Sequence, residues 1–140
     1  MPYSQISKDS TIYQDRIFSD IDLSFKRNII TSDIVKKTGE NAIKQSLKIL
    51  ILTEMGDRLF HPEIGGNIYS FLFEPMESST TISIRKGIED VINRYEPRVQ
   101  LEEVLVVPEF AQNRYSVSIN FSMLNNTGES VVDFFLERIR

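Results

Sequence analysis

Strict alternation of apolar and polar residues near the C-terminus constrains the fold more than any other feature of this sequence. Every second residue from Tyr115 to Met123 is apolar, and the residues between them are polar. Successive side chains of a β-strand point to opposite faces, so this pattern predicts a strand with one buried and one wet face. A sheet with one wet face is typical of antiparallel pairing, which the segment therefore favours.

Two flanking segments complete a predicted three-stranded meander. Upstream, four apolar residues share one parity, and Pro108 is expected to end their strand. They are Val99, Leu101, Leu105 and Val107. Downstream, the turn signal at residues 125–128 leads into residues 130–140, whose apolar positions fit either a helix or a strand. The β-branched and aromatic content and the short turn favour a strand.

Two segments show the apolar periodicity of amphipathic helices. Glu40–Thr53 and Ser79–Tyr95 each carry a continuous apolar stripe, and Pro97 ends the second helix. Ile21–Phe25 and Ile29–Val35 are shorter candidates for strands. The predicted class is α+β: two main helices packed on a small, mainly antiparallel sheet that ends in a C-terminal β-meander.

Length and hydropathy indicate one domain that does not enter a membrane. A chain of 140 residues has the size that a single core usually organises. Met1–Asp15 is polar and weakly patterned, so we expect a flexible N-terminal arm followed by a single domain over residues 16–140. The longest apolar run, Ile49–Leu52, is far shorter than the ~20 residues of a membrane helix, and we expect no membrane partner.

Composition excludes several kinds of chemistry. The chain has no Cys and one His, His61, which argues against disulfides, thiolate zinc sites, iron–sulfur clusters, a catalytic Cys and paired-histidine metal motifs. Because these metal ligands are missing, we expect no metal ion, and because no phosphate-binding glycine motif occurs, we expect no cofactor. The formal net charge of −4 has the wrong sign for a nucleic-acid-binding protein, and we expect no nucleic-acid partner.

Acidic residues gather around the central loop and leave one enzymatic alternative open. They are Glu54, Asp57, Glu63, Glu74 and Glu77. A glycoside hydrolase needs two carboxylates beside the scissile bond, one of them with a pKa raised by burial. Asp57 or Glu63 could also orient His61, although a nucleophile would have to come from a distant Ser or Thr. Solvated acids and a structural loop histidine are the simpler interpretation, because charged residues are mostly exposed.

Two further segments stand out because their prolines and glycines impose unusual backbone conformations. The loop Gly56–Gly66 contains Pro62 and three glycines, which predicts an irregular path with special backbone angles. After the second helix, Pro97 stands between Glu96 and Arg98. An Arg at this corner offers a planar fork of donors for a partner carboxylate. The alternative is a helix stop that is closed by an internal ion pair.

In combination and in order, these segments resemble the contractile-tail baseplate wedge family, also known as the sheath-initiator family. Thr53–Gly65 resembles the family's T-x-x-G-x-R-x-x-x-P-x-hydrophobic-G loop, and its L-F-E motif follows at Leu72–Glu74. The family's Glu-Pro-Arg corner stands at Glu96–Arg98, while Phe18–Asp22 and Ala42–Leu47 resemble its N-terminal start and first helix. The structural loop positions of the motif are Gly56, Arg58, Pro62 and Gly65.

The resemblance implies assembly rather than catalysis. Members of the family resemble a truncated sheath subunit, and their C-terminal strands form the first layer of the sheet on which the contractile sheath polymerises. Their Glu-Pro-Arg corner docks against other wedge subunits near the inner tube. Carried over, the wedge contact comprises Glu96, Pro97 and Arg98. The residues implied in strand augmentation are Ser130, Val132, Phe134, Leu136 and Arg138.

The partners implied by the resemblance are other baseplate wedge proteins, the tail sheath protein and the tail tube. The implied location is the tail baseplate of the virion, with assembly in the host cytoplasm. The type VI secretion baseplate has a similar component. The family has also been described as lysozyme-like, and peptidoglycan cleavage by the loop carboxylates is therefore the alternative function.

Overall fold

A computed structural model describes residues 18–124 and 126–138 of the chain. The arm predicted for Met1–Asp15 lies outside the described residues. The packing of the chain divides it into two compact units, Met1–Gln45 and Ser46–Arg140. The expectation of a single domain over residues 16–140 stays a prediction.

The first unit is built on a two-stranded antiparallel sheet. Strand β1 (Ser19–Ile21) pairs with β2 (Lys36–Thr38), and the bridge between Arg27 and Ile34 continues the pairing toward the tip of the connection. The side chain of Gln45 supports β1, because its Nε2 donates to the carbonyl oxygen of Ile21 at 2.8 Å.

Both strands of this sheet are shorter than the sequence predicts and are displaced along the chain. The strand expected over Ile21–Phe25 stops early because the Asp22 carboxylate accepts a hydrogen bond from the Ser24 amide at 3.0 Å. The strand expected over Ile29–Val35 is replaced by a turn, in which the Asn28 side chain accepts from the Ile30 amide at 2.9 Å. Such short-range side-chain bonds compete with strand pairing.

The two main predicted helices are confirmed to within one residue at each end. Helix α1 spans Gly39–Leu52, a short α2 spans Ile68–Phe71, and α3 spans Ser78–Tyr95. The buried stripe of α3 comprises Thr80, Ile84, Ile88, Val91 and Ile92. In the described residues, 18–124 and 126–138, no helix has both the length and the hydropathy that crossing a membrane requires.

The C-terminal part forms the predicted antiparallel meander. Strands β3 (Val99–Glu109), β4 (Arg114–Met123) and β5 (Asn126–Glu137) lie in the order β3-β4-β5, and α3 packs against β3. A short 3₁₀ turn, Phe110–Gln112, connects the first two strands. The strand interpretation of the C-terminal segment is confirmed, and so is the α+β class. Two small sheets are present instead of the single sheet that was expected.

The buried face of β3 differs from the predicted one. The register shifts between Leu101↔Phe121 and Glu103↔Asn120, so one extra residue, Glu102, bulges out of the ladder. A bulge moves all later side chains to the opposite face. Leu105 and Val107 are consequently 53% and 44% exposed. The buried residues of this half of the strand are Val104 and Val106.

Pro108 does not end β3, contrary to the prediction. It pairs with Tyr115, and the strand continues to Glu109. Because β3 is an edge strand, a residue without an amide hydrogen is tolerated in it.

Candidate docking surfaces

The Glu-Pro-Arg corner contains a buried ion pair. Glu96 is 4% exposed, and the guanidinium of Arg98 donates from Nε to its Oε1 and from Nη2 to its Oε2, both at 2.5 Å. Ser46 Oγ donates to Oε2 at 2.8 Å and accepts a second bond from Arg98 Nη2 at 3.1 Å. The corner is therefore tied to helix α1 through a side chain that lies 50 residues away in the sequence.

This environment keeps Glu96 ionised. Burial alone would raise the pKa of its carboxyl, but the hydrogen bonds from Arg98 and Ser46 outweigh burial and lower the pKa below its usual value. The internal ion pair that the sequence left open is present. A wedge contact through Glu96, Pro97 and Arg98 stays a prediction. A partner could reach Pro97, which is exposed, and the exposed third of the Arg98 side chain.

The loop Gly56–Gly66 is closed by hydrogen bonds at its base. The Gly56 amide donates to the Pro62 carbonyl at 2.9 Å, and the Gly66 amide donates to the Thr53 carbonyl at 3.2 Å. The Tyr95 hydroxyl donates to the Glu63 carbonyl at 2.5 Å, which joins the loop to the end of α3 next to the corner. These bonds hold the two ends of the loop while leaving its middle in solvent.

Gly65 occupies a position that no other residue could fill without rearrangement. Its φ is 138°, and a Cβ built there would lie 2.6 Å from the carbonyl oxygen of Thr53. Gly56 also has a positive φ, 95°, although its surroundings are open. The special backbone angles expected for the loop are thus present at both glycines. Arg58 lies at the exposed tip of the loop, away from its hydrogen-bonded base.

The central carboxylates lie in solvent and do not form a buried pair. All five of them are exposed: Glu54, Asp57, Glu63, Glu74 and Glu77. The pKa of Glu63 is lowered by a hydrogen bond from its own backbone amide and by His61, whose Nδ1 lies 3.1 Å from Glu63 Oε1. A general acid needs a raised pKa instead. Within residues 18–124 and 126–138, no cluster of three His, Asp or Glu side chains could hold a metal ion.

The backbone amide and carbonyl groups of β5 point alternately toward β4 and away from it. The Arg138 amide donates to the Asn113 carbonyl at 3.2 Å, directly opposite it across the ladder. In an antiparallel ladder, bonded pairs alternate with non-bonded pairs, so the even-numbered residues of β5 direct their backbone groups toward β4. The odd-numbered residues from Glu129 to Glu137 direct theirs to the opposite side. We name this row of backbone groups the open edge.

The five residues that the resemblance implies for augmentation lie on the inner side of this strand. Ser130, Val132, Phe134 and Leu136 are buried. Arg138 donates from Nε to the Leu72 carbonyl at 3.0 Å and from Nη1 to Asn113 Oδ1 at 3.1 Å. Ile139, the last residue of the strand expected from the sequence, lies outside the described residues. The implied residues build the core, and the residues between them form the open edge.

Sequence reasoning missed the alternate residues Val131, Asp133 and Phe135. Val131 and Phe135 are exposed apolar side chains, and the guanidinium of Arg114 lies 3.7 Å from the centre of the Phe135 ring. Asp133 accepts a hydrogen bond from Ser118 Oγ at 2.5 Å. The strict parity of the neighbouring strand was the signal that could have assigned the two faces.

Sequence comparison shows which known proteins this chain is similar to. The family described as "Baseplate wedge protein gp25" matches residues 37–127. The baseplate wedge protein gp25 of Enterobacteria phage T4 is 34% identical over 112 residues, which cover 80% of this chain and 84% of that protein.

Solved structures with the same fold include components of two baseplates. A protein in the baseplate of the anti-feeding prophage has a TM-score of 0.67 and 27% identity, covering 78% of this chain and 87% of that one. A proposed tail lysozyme from Geobacter sulfurreducens has a TM-score of 0.63 and 26% identity, covering 74% of this chain and 96% of that one. A chain of the pyocin R2 baseplate shares the fold, with a TM-score of 0.55 and 20% identity, covering 70% of this chain and 96% of that one. The chain described here belongs to the gp25 family of baseplate wedge proteins.

Proposed function

We propose that this chain is a structural subunit of a contractile-tail baseplate wedge that docks to other wedge proteins and nucleates polymerisation of the tail sheath. It acts beside the tail tube, resides in the tail baseplate of the virion, and is assembled in the host cytoplasm. Membership of the gp25 family supports the wedge role. The observation that carries sheath nucleation is the open edge of β5.

The two edges of the sheet differ in their capacity to accept another strand. Strand β3 carries the bulge at Glu102 and the proline at position 108, both of which protect an edge from pairing. Strand β5 keeps an uninterrupted register from Ser122↔Glu129 to Arg114↔Glu137 and contains no proline. Strand addition is therefore favoured at β5.

No strand of residues 18–124 and 126–138 pairs with the outer side of β5, so strand addition would supply partners for its outward-facing amides while leaving the core intact. An extended segment of a sheath subunit pairs with the backbone of Val131, Asp133 and Phe135, and main-chain hydrogen bonds supply affinity without demanding a particular sequence. The inner side chains of β5 continue to pack on the core, as in the free protein. The wedge contact at Pro97 and Arg98 is a separate surface in this proposal.

A proline at the open edge tests this role. In Val131→Pro the missing amide hydrogen belongs to the side that faces away from β4, so the ladder within the protein is preserved. We expect baseplates that carry this variant to assemble but to lack sheaths in negative-stain images. Val131→Ala, which keeps the amide and shortens the side chain, should support sheaths of normal length. Full-length sheaths on Val131→Pro baseplates, with a native circular dichroism spectrum, would refute nucleation by this edge.

Peptidoglycan cleavage is the second candidate, because one structural relative is a proposed tail lysozyme. The exposed loop carboxylates and the lowered pKa of Glu63 do not supply the protonated acid that glycoside hydrolysis requires. Purified protein is expected to release no muropeptides from peptidoglycan between acid and neutral pH. Activity that disappears in Asp57→Asn or Glu63→Gln would establish the enzyme instead.

A further inference from the structure

The tip of the central loop exposes two large apolar side chains above a hydrogen-bonded base. Leu59 is 92% exposed and Phe60 is 90% exposed. Leaving such side chains in water forfeits the favourable free energy of burying them, and isolated examples are common on protein surfaces. Here they are adjacent, and the loop that carries them is closed by the hydrogen bonds from Gly56, Gly66 and Tyr95. These bonds fix the two ends of the short segment that carries the exposed pair.

Arg58 adds a charge beside the apolar pair. Across residues 18–124 and 126–138, Arg58 forms no ion pair, whereas the acids of the same loop are engaged locally. Asp57 accepts from the Glu54 amide at 2.9 Å, and Glu63 pairs with His61. The Arg58 guanidinium thus lacks an acidic partner among the described residues, and a carboxylate on a partner protein would complement it.

The tip is also connected to the corner that the proposed function assigns to wedge docking. The Tyr95 hydroxyl joins the Glu63 carbonyl of the loop, and Glu96 follows Tyr95 in the chain. A partner seated at Pro97 and Arg98 would thus lie next to a loop whose base is closed by hydrogen bonds. Aromatic and Arg side chains that enter partner pockets typically dominate interface energies, and a preformed loop reduces the entropy lost on binding.

We infer that Arg58, Leu59 and Phe60 form an anchor that inserts into an apolar pocket with an acidic rim on another wedge subunit. We name these three residues the tip anchor. This inference rests on the proposed wedge function and extends it with a second contact. The loop motif is then a device for presenting the anchor, with Gly56, Pro62 and Gly65 shaping the loop and Arg58 contacting the partner.

The test is co-purification of tagged protein with the other wedge proteins of the same tail, expressed together. The double variant Leu59→Ser/Phe60→Ser is expected to retain its fold, because both side chains are in solvent, and to bind at least about tenfold more weakly. Arg58→Glu should weaken binding as well, through repulsion by the acidic rim. The matched control is Phe110→Ser, an exposed aromatic elsewhere in the same unit, which should bind as the wild type does.

The outcomes separate this inference from the proposed function. If the wild type and the double variant co-purify equally well, the tip anchor is wrong while the wedge role stands. If the wild type itself fails to co-purify, the wedge role fails and the tip anchor falls with it. A concentration-dependent dimer of the wild type alone, lost in the double variant, would show that the tip meets a second copy of this chain and would overturn the inference.

Discussion

The guanidinium of Arg98 lies within 2.5 Å of both carboxylate oxygens of Glu96, two residues before it in the chain. Pro97 stands between them in the chain. The pair closes the junction between a long helix and a strand, and Ser46 fastens it to another helix. The corner is consequently part of the internal structure as well as a candidate contact.

Removing Arg98 should destabilise the free protein. In Arg98→Ala the buried Glu96 carboxylate loses two charge-assisted hydrogen bonds and keeps the one from Ser46. We expect a loss of about 2–3 kcal/mol, below the range for fully buried pairs because Arg98 is partly exposed. Urea denaturation at neutral pH measures this loss. Lys86→Ala, on the exposed face of α3, should change stability by less than about 0.5 kcal/mol, and an equal effect of the two would contradict the ion pair.

The contribution of Glu96 to stability should depend on pH. Its pKa in the folded protein is below the ordinary value of 4.5, so its ionised form stabilises the fold above that value. As the pH falls below 4.5 toward the folded pKa, the carboxylate is protonated and this stabilisation is lost. The stability difference between the wild type and Glu96→Gln, measured by urea unfolding from pH 7 to pH 3, should therefore shrink at the acid end. A difference independent of pH would show that the charge of Glu96 is not involved.

Gly65→Ala should damage the loop far more than a similar change elsewhere. The new methyl group would meet the Thr53 carbonyl at 2.6 Å, and the positive φ disfavours a side chain in any case. A cost above about 2 kcal/mol is expected, visible as a lowered thermal midpoint. Gly39→Ala is the control, because Gly39 also has a positive φ, 57°, but open space around it. Similar costs at the two positions would mean that the close approach to Thr53 is not a constraint.

The two faces of β3 can be distinguished by neighbouring substitutions. Val104 is buried and Leu105 is half exposed, the reverse of what the sequence pattern predicts. Val104→Ala should cost about 2 kcal/mol, whereas Leu105→Ala should cost less than about 1 kcal/mol, although it removes more apolar volume. Chemical denaturation of both variants compares them directly. A larger cost for Leu105→Ala would place the bulge at Glu102 in doubt.

The parts of the fold that sequence reasoning predicted are those governed by local periodicity. The stripe of α3 and the alternation of β4 each describe an element whose own residues determine which side is buried. The face of β3 after Glu102 could not be predicted, because a bulge arises from the pairing of two strands. Leu105 and Val107 keep their parity in the sequence while changing their face in the sheet.

The features of the candidate site can likewise be divided into those that local sequence predicted and those that depend on distant residues. The glycine angles of the loop followed from residue type alone, since Gly65 and Gly56 are suited to positive φ. The burial of Glu96 did not, because Ser46, which completes its environment, is distant in the sequence. The augmentation residues implied by the resemblance are the even-numbered ones, and that role stays a prediction. The ladder between Asn113 and Arg138 shows that the backbone groups directed away from β4 belong to the odd-numbered residues.

The two edges of the C-terminal sheet differ in how readily they can pair with another strand. Strand β3 is interrupted by a bulge and a proline, while β5 is regular along its paired length from Glu129 to Glu137. A subunit with one receptive edge can stand at the beginning of a row of strands and is poorly suited to the middle of one. In the proposed function, this asymmetry makes β5 the edge from which a row of strands is extended.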